Sequence, residues 1–489
     1  MRFMIQFKSD LNLETEERPL IIGVFSDFSH QDIFQLDHLL NNQLTTAIKE
    51  GVIPTKFKAV TPIYPLGKIN SKKLYFIGLG KSTEFTFEKA KEAIGKIAKL
   101  IKNEAILLLE TFQSPTTSIN ELATLCAESI TLATYKFDCY KTEHPHTEPV
   151  TLSVYAQEDV TSDLTRGVIY GEATNDARQL FNQPSNHLTA THLADHIKKF
   201  ANHHHLDIHI VEKDEMKKLG MGGILGVNQG STEPPKLIVV KYQGNETSNE
   251  VTALVGKGIT FDTGGYCLKP RSSMEGMKGD MGGAASAFGA FQVAVRLQLP
   301  VNLLLVIPAT DNVISSHAIK PGDVLKTMDG KTVEVTNTDA EGRLILADAL
   351  TFAKQLGATK IIDLATLTGA IIVALGSDIT GAFTNNQAFL NDFQQAADQA
   401  IEYIWPMPLH PRDQKSIRNS EVADLNNAPL GKPGAIMAAA FLKEFVGDTP
   451  WIHLDIAGTA EAKSAYDLGP KGGTGVMVRT IAKYLELHH

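Results

Sequence analysis

Cysteine is scarce: the 489 residues carry only Cys126, Cys139 and Cys267. So sparse and odd a set excludes a disulfide framework and fits a reducing compartment. Positive charge is in deficit too, with 46 lysines and arginines against 55 acids for a net charge of -9, which argues against a global pull towards nucleic acid. No apolar run approaches the length of a bilayer span, and the mean hydropathy of -0.07 has no membrane bias. The run Met1 to Asp10 alternates and is charged too early for the apolar core of a secretory leader. These absences predict a cytoplasmic protein with no membrane partner. Two nucleotide-binding patterns are imitated but not met. Gly78-Leu79-Gly80-Lys81 has the spacing of neither a dinucleotide nor a P-loop signature, and Gly220 to Gly226 follows a lysine-rich helix where a strand is required. His203-His204-His205 points three rings in different directions with no carboxylate placed to join them, so it reads as a solvated helix end.

With 43% hydrophobic residues, the chain has apolar material for more than one core, and its length predicts two domains. Residues 1–155 alternate strand-like runs (Leu20 to Phe25, Leu74 to Leu79, Ala105 to Leu109) with helix-like ones (Phe34 to Ile48, Phe87 to Ile101, Ile119 to Tyr135). That is an α/β pattern with parallel pairing, and it holds no catalytic cluster. Residues 156–182 form a linker helix, from Thr161 to Phe181, closed off by Pro184. Residues 183–489 alternate again, with apolar strands at Leu237, Ala253, Leu303, Ile361 and Trp451 that read as buried on both faces. A helix–sheet–helix sandwich follows, with its site where loops converge at strand ends.

Charge concentrates at two such ends. Asn337-Thr338-Asp339-Ala340-Glu341-Gly342-Arg343-Leu344 sits between a strand-like Thr332 to Val335 and a helix-like Leu344 to Ala353. Read alone, its acids also describe a capped helix start. A second cluster, Lys257 to Pro270, sets Lys257, Asp262 and Lys269 among glycines, and Asp280 follows before another helical run. Converging carboxylates are too costly to bury unless cations neutralise them. Enough of them can clamp two ions for hydrolysis.

Both stretches resemble the signatures of the leucyl aminopeptidase (cytosol aminopeptidase) family, the M17 metallopeptidases, whose hallmark octapeptide is the run from Asn337 to Leu344. The likeness is strongest over the C-terminal two thirds. It implies a small N-terminal α/β domain like a macro domain, and a C-terminal α/β/α sandwich with a mixed, mostly parallel sheet. By position it implies that Asp262 and Glu341 bridge two divalent ions, Mn²⁺ or Zn²⁺ or else Mg²⁺. Asp339 then completes one ion, and Asp280 with Lys257 the other. A structural ion pair is the alternative for Lys257. The resemblance gives Lys269 the developing oxyanion, Arg343 a bicarbonate that shuttles protons, and Met277, Thr366, Gly369 and Ala457 the substrate side chain. For Met277 and Ala457 ordinary core packing is an equal reading. It also implies a homohexamer that removes leucine-like or methionine-like N-terminal residues from peptides. Two other classes stay open: a DNA-binding or structural role, and another two-metal hydrolase such as a phosphoesterase. Cys267 shares a face with Lys269 if that segment is extended.

Overall fold

The computed structural model of the chain describes residues 3–27, 34–143, 150–432 and 434–488; Met1 and Arg2, where the N-terminal alternation begins, lie outside them. Two compact units form, Met1–Glu172 with Ser464–Lys471, and Ala173–Lys463 with Gly472–His489. The division falls within the helix Thr161–Asn182 that the sequence reads as a linker.

In the first unit the β-rich, apolar runs pair as expected. A six-stranded sheet has the order Phe3–Lys8, Val150–Tyr155, Glu104–Leu108, Leu20–Phe25, Leu74–Gly80, Val60–Ile63. All pairs are parallel except the last, an antiparallel edge that the sequence reading missed. The helices Phe87–Ala98 and Ile119–Ala133 start where Thr86 and Ser118 each accept a backbone N–H from the first turn. The single helix expected from Phe34 to Ile48 is instead two, Phe34–Leu39 and Gln43–Lys49. Asn41 and Asn42 between them take the left-handed conformation, φ 57° and 59°, which asparagine tolerates and a helix cannot continue through.

The second unit is built on a nine-stranded sheet. Its main path runs Ile404–Pro406, Thr380–Thr384, Trp451–Asp455, Lys360–Ala365, Thr252–Gly256, Asn302–Asn312, Lys236–Gln243, Asp207–Val211, with Gly258–Asp262 paired alongside Asn302–Asn312. The central strands are parallel, and antiparallel partners lie towards both edges. Leu254, Ile361, Ile362, Ile452 and Leu454 are fully buried, as strands covered on both faces must be. Each such side chain contributes roughly 1.5–3 kcal/mol by leaving water. The parallel strands Gly258–Asp262, Thr252–Gly256, Lys360–Ala365 and Trp451–Asp455 lead into Asp262, Lys257, Thr366 and Ala457 at or just past their last residues, so their carboxyl ends deliver the site residues to one edge of the sheet.

The C-terminal helix Val478–Leu487 begins on a buried acid. Glu402 accepts from the N–H groups of Met477 (3.1 Å) and Thr480 (3.0 Å), from the Thr480 hydroxyl (2.8 Å), and from Arg479 (2.9 Å). Glu402→Ala leaves those donors unmatched, and the unit's unfolding free energy should fall by about 1–3 kcal/mol in a denaturant titration. A loss within error would show that the helix start does not rely on the acid.

Candidate active site

The cleft at those strand ends has a volume of about 760 Å³. Asp262 closes its strand and Glu341 stands just before the helix Gly342–Gln355; Asp280 follows the turn Met277–Gly279. Carboxylate oxygens of Asp262, Asp280 and Glu341 come within 4.8 Å of one another, and all three residues are buried. Asp339 lies outside that group, its carboxylate held on the Lys269 ammonium. Lys269 Nζ also lies 2.8 Å from Asp262 Oδ2. Lys257 Nζ lies 2.8 Å from Asp280 and 3.0 Å from Glu341 Oε1, and donates to the Thr366 carbonyl at 3.0 Å. Two ammonium groups are thus spread over four acids.

The electrostatics follow from burial and neighbours. Burial pulls the Lys257 ammonium down, but Asp280, Glu341 and Asp262 outweigh it and hold the lysine above its usual range. Lys269 is likewise raised, burial being overcome chiefly by Asp262. Burial, then Glu341, pushes Asp262 up to about 6 against the two lysines. Burial also raises Asp280, well above the usual range, and Asp339. Glu341 alone of the four is lowered, because Lys257 and Lys269 overcome its burial. Asp280 Oδ2 is buried and accepts no well-directed hydrogen bond although Lys257 is close. Buried carboxylates in excess of their cations, one with an unmatched oxygen, are a donor set suited to divalent ions.

Arg343 leads from the first turn of its helix into the cleft. Its Nη1 donates to the Asn427 carbonyl at 2.6 Å, and its buried Nε has no hydrogen-bond partner. Burial lowers the guanidinium to about 10. No carboxylate within salt-bridge distance of it is found among the described residues, which suits it to a small anion. Met277, Thr366, Gly369 and Ala457 all line the cleft, half-buried or exposed, and Ala457 also packs against the hydrophobic core. Thr366 does more than line it: its hydroxyl donates to Asp280 Oδ1 at 2.9 Å.

The segment after Asp262 is a turn, not an extended run, so alternation does not govern Cys267 and Lys269. Gly264 has φ +84°, and a Cβ there would meet the Cys267 carbonyl at 2.5 Å and Asp339 at 2.7 Å; only glycine fits. Cys267 lines the cleft, and its N–H donates to Thr338 Oγ1 at 2.8 Å. A Cβ at Gly342 would lie 2.5 Å from Lys257 Cε and 2.9 Å from its Nζ.

Of three positioning residues, Asn312 and Asn427 have no signal in the motifs, whereas Thr338 lies within the octapeptide. Asn312 donates to Asp262 Oδ1 at 2.8 Å and to the Thr338 carbonyl at 3.0 Å. Thr338 Oγ1 ties the octapeptide to the Gly264 carbonyl at 2.7 Å. Asn427 donates to the Asn337 carbonyl at 2.7 Å while its own carbonyl holds Arg343. His203, His204 and His205 stay at a helix end, away from any acid grouping among the described residues.

Comparison with known proteins accords with this geometry. The profile of the cytosol aminopeptidase family's catalytic domain matches residues 175–482, and that of its N-terminal domain residues 21–144. A tomato leucine aminopeptidase variant is 30% identical, with a TM-score of 0.87 over 100% of this chain and 97% of its own. The bottromycin maturation enzyme BotP, also solved in complex with Mn, is 30% identical with a TM-score of 0.85 over 96% and 99%. The cytosol aminopeptidase from Coxiella burnetii is 28% identical with a TM-score of 0.84 over 99% of both chains. Among the described residues no helix is long and apolar enough to cross a membrane. Agreement in sequence and in fold along nearly the whole chain makes it a member of the cytosol aminopeptidase family of peptidases.

Proposed function

We propose that the chain is a leucyl aminopeptidase-type exopeptidase that uses two divalent ions to release leucine-like or methionine-like residues from peptide N-termini. The observation that carries this reading is the convergence of Asp262, Asp280 and Glu341 within 4.8 Å beside two lysines. When bound, the ions would supply Lewis acidity towards the carbonyl and an acidified water. Asp262 and Glu341 would hold both ions, Asp339 one, and Asp280 with Lys257 the other. Lys257 serves as a ligand only as a neutral amine, the form that dications beside Asp280 and Glu341 favour.

The remaining roles belong to the chain's own groups. Lys269, kept protonated by Asp262 and Asp339, donates to the carbonyl oxygen as it gains charge. Arg343, whose Nε lacks a partner, holds a bicarbonate positioned to carry protons, since no histidine lines the cleft among the described residues. Met277, Thr366, Gly369 and Ala457 receive the first side chain on a largely apolar wall. By family likeness the protein is a cytoplasmic homohexamer, to be checked by sedimentation.

The test is hydrolysis of leucine p-nitroanilide by metal-stripped protein with Mn²⁺, Zn²⁺ or Mg²⁺ restored, beside the N-acetylated substrate and a phosphate ester. Cleavage of the free-amine substrate alone is expected. Equal cleavage of the acetylated compound, or activity only on the ester, would overturn the reading. Lys269→Met should lower kcat about 10²–10³-fold with little change in KM, as removal of one oxyanion donor does. Retention of kcat within a few-fold would take Lys269 out of that role.

A further inference from the structure

A second recess, of about 520 Å³, adjoins the cleft and shares Ala428, Pro429 and Lys432 with it. Its far wall is one face of the short helix Pro411–Ile417 and the turn after it, where Arg412, Lys415, Ser416 and Asn419 recur at helical spacing. Lys432 closes the recess from the cleft side. Three cations and several hydrogen-bond donors therefore line it, and no carboxylate does among the described residues.

Three acids near the recess are hydrogen-bonded to groups outside it. Asp413 accepts the His410 N–H at 2.9 Å, Asp424 takes the N–H and hydroxyl of Thr332 at 2.8 Å each, and Glu334 takes the Ser420 hydroxyl at 2.6 Å. The Arg412 guanidinium is 82% exposed and reaches Asp413 only at 3.9 Å. The shared wall is also fixed relative to the reaction centre, because Asn427, next to Ala428, holds both Asn337 and Arg343. Thr366, which lines the first-residue pocket, is bonded instead to Asp280. Thr366 and the shared residues Ala428, Pro429 and Lys432 line one cleft, so a peptide seated by its first residue near Thr366 has the recess bordering the same cleft for its remainder.

We infer that this recess binds a carboxylate on the leaving part of the peptide, so that the enzyme favours substrates carrying an acidic side chain or a free C-terminus downstream of the cleaved bond. The inference rests on the aminopeptidase reading. Surface charge pairs are individually weak, but several converging cations discriminate between a carboxylate and its neutral isostere.

The experiment uses metal-loaded enzyme and Leu-Ala-Ala-Ala-amide in which glutamate or glutamine replaces each alanine in turn, together with Leu-Ala-Ala as free acid and amide. At one position at least, kcat/KM for the glutamate peptide should exceed that for the glutamine peptide about fivefold at low salt, falling as salt rises. A gain confined to the free acid assigns the recess to short peptides; one confined to glutamate assigns it to acidic side chains. Lys415→Gln should shrink the ratio, and Lys415→Glu should invert it. Each ratio is taken within one preparation, so partial misfolding cancels. Ratios near one throughout, or ratios unchanged in Lys415→Glu, overturn the inference while leaving the aminopeptidase intact. Failure of the wild type to cleave any of the peptides overturns the aminopeptidase reading itself.

Discussion

Asp262→Asn should abolish most peptidase activity while leaving the metal-free protein as stable as the wild type at neutral pH, or more so. The activity follows from position. Asp262 touches Lys269 at 2.8 Å, faces Glu341 and Asp280 within the same 4.8 Å group, and is steered by Asn312. Loss of a carboxylate proposed to hold the ions should lower kcat/KM at least about 10³-fold, the rate equivalent of about 4 kcal/mol. The stability follows from charge. Burial and Glu341 push the folded carboxyl up to about 6, whereas the unfolded one titrates near about 3.9. Between those values the folded state binds more protons, so this group's contribution to stability falls as pH rises from about 4 to 6 and stays lost above. The amide has no such loss. Paired activity assays and pH-dependent thermal melts of metal-free protein check both halves; activity within tenfold of wild type would remove Asp262 from the centre.

Asp363→Asn should produce the largest loss of stability. Asp363 and His453 are register partners on adjacent parallel strands, and both are fully buried. The aspartate takes His453 Nδ1 at 2.6 Å and Trp451 Nε1 at 2.5 Å, and the imidazole is stacked between Trp451 and Phe383. Burial lowers the imidazole's affinity for a proton, but Asp363 and then Asp455 more than restore it, so His453 is raised above its ordinary value. Removing the anion leaves a buried imidazolium or forces its neutralisation, which costs about 3–5 kcal/mol. The sign with pH is the same as for Asp262, in a higher pH window. Stability from His453 is complete below about 6.5 and is lost as pH rises through its higher folded value. Denaturant unfolding at several pH values should therefore show wild type and variant drawing closer as the solution becomes alkaline. A difference below about 1 kcal/mol, or one independent of pH, would contradict the ion pair.

What could be read from the chain divides along physical lines. The acids and lysines that converge in the cleft were legible because they fall in two short runs, Lys257 to Asp280 and Asp339 to Arg343. The parallel core strands were legible because burial on both faces makes them uniformly apolar. Gly258–Asp262 was not read as a strand: it is short, flanked by charges and glycines, and pairs with Asn302–Asn312 through an irregular register. The polar struts were hidden for another reason. Asn427 lies 90 residues from Asn337, and Asp363 lies 90 from His453, so no local periodicity joins them. A lone asparagine in a loop carries no pattern until the chain is folded.

Gly342 has a consequence for evolvability. Because a single added carbon there meets the end of the Lys257 side chain, which Asp280 and Glu341 hold in place, a library randomised at that codon should return glycine in most active clones. The position is largely closed to stepwise drift. Since Lys257 is itself part of the proposed centre, the glycine and the lysine are expected to be kept together.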